Sequence, residues 1–147
     1  MRTTSETDAS NTRRWIVVVV VVQVVAMTSM ALLDIYGRQV RISFFVALQV
    51  LVPICFTLDV ACNWSKTPAF RDLASLFNGL YGLMFTLGII TGVIAFVRET
   101  SWFTAVHLTL MLTITATYFV NVVLLLRLKG TVIALGEDER KRQEVEH

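Results

Sequence analysis

Apolar residues in this chain are gathered into four long runs separated by short polar stretches, not spaced every third or fourth residue as on a soluble amphipathic helix. The runs cover about residues 15–33, 43–62, 74–97 and 102–126, each near the ~20 residues that carry an α-helix across ~30 Å of hydrocarbon. In lipid every backbone group must find its partner inside its own segment, so each run predicts a helix, even the β-branched stretch from Val17 to Val22. Short connectors predict antiparallel neighbours. Pro53 falls inside the second run, where a membrane helix tolerates it as a kink. Arg13 and Arg14 precede the first run in the manner of a signal peptide. The run nevertheless exceeds the 7–15 residues of a signal's apolar region, and no A-x-A cleavage site follows, so it is read as a retained span.

The ends of the chain are different material. Residues 1–14 are polar, rich in Ser and Thr and without periodicity, which predicts a disordered tail. Residues 131–147 form a charged tail. Its pairs Glu137/Lys141 and Asp138/Arg142 stand at i,i+4 spacing, which supports a solvated helix running on from the fourth span as an alternative to an irregular tail.

Composition strengthens the membrane reading. Of the 147 residues 55% are hydrophobic and only 16% charged, against ~25% for a soluble domain, and the mean hydropathy is +0.66. The net charge of +2 is the excess of thirteen Lys and Arg over eleven Asp and Glu, and the basic residues cluster at the ends of the runs, a pattern of bilayer orientation with no sign of nucleic-acid binding. With four spans, the termini and the connector at residues 63–73 share one side, and only Arg38, Arg41 and Arg98 fall on the other. The positive-inside rule therefore predicts cytosolic termini. Trp15, Trp64 and Trp102 all fall at span ends, as an aromatic belt requires. The sequon Asn63-Trp64-Ser65 then lies in a cytosolic connector close to the bilayer and is expected to carry no glycan.

Chemistry-bearing residues inside the runs are few. Asp59 lies about one turn from the cytosolic end of the second span and is read as an interfacial anchor, with a proton or ion site as the alternative. His107 stands alone near the outer end of the fourth span, with no second ligand at metal spacing and no visible nucleophile, so hydrogen bonding between helices is its expected work. Gln23 and Gln49 are placed mid-span for the same purpose. In the fourth span Ala105, Thr109, Thr113, Thr117 and Asn121 recur every four residues and form a slowly drifting stripe against which a helix should pack. In the third, Gly79 and Gly82 mark one face, while Gly88 and Gly92 make a G-x-x-x-G pair roughly opposite. Either both faces are internal, or one is left for a partner or a second copy. Cys55 and Cys62 lie roughly 10 Å apart along one helix, too far to bridge. Cys62 at the cytosolic end is a candidate for S-palmitoylation, with a small buried residue as the plainer reading. Phosphate loops, Ser/His/Asp sets and paired carboxylates are absent from the connectors, and no cofactor or metal is expected.

The arrangement resembles the MARVEL domain and, within it, the chemokine-like factor (CMTM) group. The likeness rests on Phe77-Asn78-Gly79 after a connector containing Pro68, on the Arg98-Glu99-Thr100 turn, and on a fourth span ending at Asn121 to Arg127. Thr28-Ser29-Met30 and the short loop before Ser43 add to it. It covers about residues 13–130. It implies an all-α, integral membrane four-helix transmembrane bundle without catalytic residues. Such a bundle organises plasma or endosomal and secretory-pathway membranes, assists vesicle trafficking or accompanies a client membrane protein, its partners being the lipid bilayer, other membrane proteins or a second copy. A second likeness, over Gln49, Asp59, Phe70 to Leu73 and Arg98-Glu99, is to the androgen-induced-gene family of membrane lipid-ester hydrolases. That family uses a Thr/His pair and is longer, with an Asn-His-x-x-His segment this chain lacks. Ser43 and His107 do not match its positions.

Overall fold

Each apolar run forms one helix, and three of the four helices extend beyond their runs. The structure, a computed structural model, describes residues 4–38, 44–62 and 68–145. The helices are α1 (Thr4–Arg38), α2 (Phe44–Cys62), α3 (Pro68–Arg98) and α4 (Trp102–Val145). Among the described residues, three segments are long and apolar enough to cross a membrane: Glu6–Tyr36, Ala69–Arg98 and Trp102–Glu137. The 19 residues of α2 span about 28 Å at 1.5 Å per residue, and Pro53 sits inside the helix without ending it. The sequon at residues 63–65, Lys66 and Ser43 lie outside the described residues, as does the side chain of Gln49.

The helices pack as a ring in the order α1, α2, α3, α4, with α4 returning onto α1. The contacts of α4 with α3 and α1 are the most extensive. Antiparallel pairing brings the start of α1, the end of α2, the start of α3 and the end of α4 to one pole, which carries both termini. Toward that pole Ile16 and Val20 of α1 meet Ile54 and Val60 of α2, Ala74 of α3, and Leu125 and Leu128 of α4. A second cluster, of Ala26, Ile114 and Tyr118, lies further along the bundle. Outside, large apolar side chains face away from the protein on every helix, among them Val21, Leu51, Leu87 and Val123. Such an apolar exterior suits hydrocarbon and not water.

The segment expected to be disordered is helical from Thr4. Ala9 and Thr12 are buried, Thr12 Oγ1 donates to the Asp8 carbonyl at 2.8 Å, and Arg127 of α4 donates to both Asp8 carboxylate oxygens at 2.9 and 3.2 Å. The polar sequence carries no hydrophobic period because the α4 extension, not a long apolar face, holds this part of α1. At the other end of the chain α4 continues to Val145 without a break, so the charged tail prolongs the helix.

Candidate functional site

Polar side chains occupy the interior of the bundle. Gln23 of α1 is 1% exposed and accepts a hydrogen bond from Asn121 Nδ2 of α4 at 2.9 Å. Thr57 of α2 accepts from Asn78 Nδ2 of α3 at 2.7 Å and donates to the Pro53 carbonyl at 2.6 Å. One polar bond thus ties α1 to α4 and another ties α2 to α3, and both pairs are buried. Lipid tails give helices no hydrophobic reason to associate, so such bonds and close packing carry the assembly. Tyr118, fully buried, stacks with Tyr81 at 5.9 Å and lies 5.7 Å from the Phe85 ring.

The stripe on α4 divides. Thr117 and Asn121 are buried, whereas Thr109 is exposed and Thr109 and Thr113 donate to carbonyls of their own helix, those of Ala105 and Thr109, each at 2.9 Å. Residues four apart advance about 40° around a helix at each step, so a stripe of five cannot face one neighbour throughout. The end near Asn121 meets α1, and the end near Thr109 has turned outward.

The glycines of α3 are arranged differently from the two opposed faces expected. A Cβ on Gly82 would stand 3.4 Å from Tyr118 and Phe119; on Gly88, 2.6 Å from Met111 Cε; and on Gly92, 3.3 Å from Leu108 Cδ1. All three therefore lie against α4, while nothing comes within 4 Å of Gly79. The ten residues from Gly82 to Gly92 return to within about 80° of the same direction, close enough for one broad neighbour.

Ionisable groups gather at the two poles. At the pole opposite the termini, His107 Nε2 lies 3.4 Å from Asp34 Oδ1 without a hydrogen bond, and both side chains are partly buried. Asp34, one residue beyond the first apolar run, is a partner that the sequence reading missed. Its position at the same depth as His107 on an antiparallel span was the available signal. His107 also stacks on Phe103 at 6.4 Å. At the terminal pole Lys129 bonds Asp72 at 2.7 Å and Arg127 pairs with Asp8, both pairs exposed. Asp59 is half-buried, and its Oδ2 has no hydrogen-bond partner. Cys55 and Cys62 are free thiols and both are exposed. Among the described residues no group of three or more His, Cys, Asp or Glu is placed to hold a metal ion.

Compared with protein-family models, curated protein sequences and solved structures, the chain gives no significant match.

Proposed function

We propose that this chain is a four-span, non-enzymatic membrane protein with both termini in the cytosol, acting through lateral helix contacts. Its work on this reading is to organise membranes, assist vesicle trafficking or accompany a client membrane protein, as the resemblance to the MARVEL and chemokine-like factor group implies. The observation that supports it best is the outward face of α3. Leu76, Leu80, Leu83, Leu87, Ile90 and Ile94 alternate steps of four and three residues, and all six are exposed. That 3.5-residue repeat keeps a straight seam toward a second helix, whereas a face serving lipid alone has no need of register. The glycine pair at Gly88 and Gly92 already packs on α4, so the leucine seam is the surface left for a neighbour.

A photo-crosslinking residue in place of Leu87, used in native membranes, tests this reading. Discrete adducts with another membrane protein or a second copy are expected, with none from the buried Leu125 position. Adducts with lipid alone would contradict it.

The proximity of His107 and Asp34 favours a second reading, a lipid-ester hydrolase, because an imidazole beside a carboxylate is half of a nucleophilic triad, although at 3.4 Å the two make no hydrogen bond here. The hydroxyls nearest in sequence, Thr109 and Thr104, both donate to local backbone, Thr109 to the Ala105 carbonyl and Thr104 to the Glu99 and Ser101 carbonyls. Purified chain is expected to leave lipid esters intact. Turnover abolished by His107→Ala in a protein that still folds would establish the hydrolase instead.

A further inference from the structure

A cavity of about 530 Å³ opens at the terminal pole between the start of α1, the end of α2 and the extension of α4. Its lining changes character along its length. Along α1 the lining runs from Ser10 through Arg13 and Arg14 to Val17, about one turn nearer the middle of the bundle, and Ala61 of α2 with Val132 and Leu135 of the α4 extension form the other walls. A smaller depression adjoins it, shares Ser10 and Arg14, and adds Thr7 and Asn11. Residues 7, 10, 11 and 14 recur at one helical face, so α1 presents a strip of hydrogen-bonding groups that ends in a guanidinium. Arg14 is exposed and makes no ion pair among the described residues, unlike Arg127 and Lys129, which are neutralised by Asp8 and Asp72. Glu6 also borders the cavity, one turn before Ser10 on α1.

We propose that this cavity binds the headgroup of an anionic glycerophospholipid, with Arg14 and Arg13 on the phosphate, Ser10 and Asn11 of the adjoining depression on the polar headgroup, and the upper acyl chain against Val17. A ligand charged at one end and apolar at the other matches the order along α1, and Val17 lies on the side toward which the acyl chains of a surrounding leaflet run. Basic clefts between helices at a membrane surface are suited to such headgroups. The neighbouring Trp15, 56% exposed, marks the same depth, because indole rings favour the headgroup layer. The site needs only the membrane setting of the bundle and holds for either orientation.

Trp15 reports on the site directly. In full-length protein carrying Trp64→Phe and Trp102→Phe, reconstituted with brominated lipids, quenching of Trp15 measures which lipid sits beside it. Brominated phosphatidylserine is expected to compete for this position at least fivefold better than brominated phosphatidylcholine, since one arginine near the surface is worth about that factor. Arg14→Gln should lose most of the preference, and Arg14→Lys should keep much of it, with circular dichroism unchanged in both. Equal quenching by the two lipids in the parent protein would overturn the proposal. So would a preference that Arg14→Gln leaves intact, which would mean bulk surface attraction, or one abolished by millimolar inorganic phosphate, which would mean a site for the free anion. Absence of quenching by either lipid would contradict the membrane placement itself and with it the reading under Proposed function.

Discussion

Single side chains in the interior hold the helices in register, and the bond between Gln23 and Asn121 is the clearest case. Replacing Asn121 by Leu leaves Gln23 buried without its donor and is expected to cost about 1 kcal/mol, near the measured range for bonds between membrane helices. Gln23→Leu should cost a similar amount. The double variant should lose less than the two together, because a pair replaced on both sides leaves nothing unsatisfied. Unfolding in detergent, arranged as a double-mutant cycle, measures this coupling. The glycines of α3 sort in the same way. Gly79→Ala should leave thermal stability unchanged, since its Cβ meets open space, and Gly88→Ala should cost little, because Met111 Cε is the end of a flexible side chain. Gly88→Leu overfills the gap to α4 and should lower stability by about 1–3 kcal/mol. At this scale the sequence was partly legible. Gln23 and Asn121 announce themselves as lone polar residues in apolar runs, but which helix each one meets depends on packing. The Asp34 contact of His107 escaped notice because Asp34 falls just past the edge of its run.

At the scale of the helix, the apolar runs located all four elements, because a long apolar segment in lipid has no other way to satisfy its backbone. The extensions were less legible. Residues 4–14 are helical through contacts with α4, and nothing in their own polar sequence signals helix. This makes their stability conditional. Arg127→Gln removes the two bonds to Asp8, and amide exchange in residues 4–12 should quicken severalfold while the interior of α1 beyond Ile16 is unaffected. Hydrogen exchange with peptide resolution makes the comparison. Equal protection before and after the substitution would show that the first turns hold without α4. The drift of the α4 stripe is also a helical property: a repeat of four residues against a turn of 3.6 must wind off its face, and only its Thr117–Asn121 end stays inside.

For the whole molecule, polar bonds lie within the bundle and large apolar side chains face outward, and the central proposal is that it makes four crossings with both termini in the cytosol. The number of crossings turns on α2, the shortest helix, since three crossings would put the termini on opposite sides. Labelling by a membrane-impermeant maleimide decides it. In a background of Cys55→Ala and Cys62→Ala, single cysteines are placed at Thr7, Thr100 and Gln143, each exposed. Thr100→Cys should react in intact cells, and Thr7→Cys and Gln143→Cys only after permeabilisation. Labelling of one terminal position but not the other in intact cells would remove α2 from the membrane and contradict the four-span account.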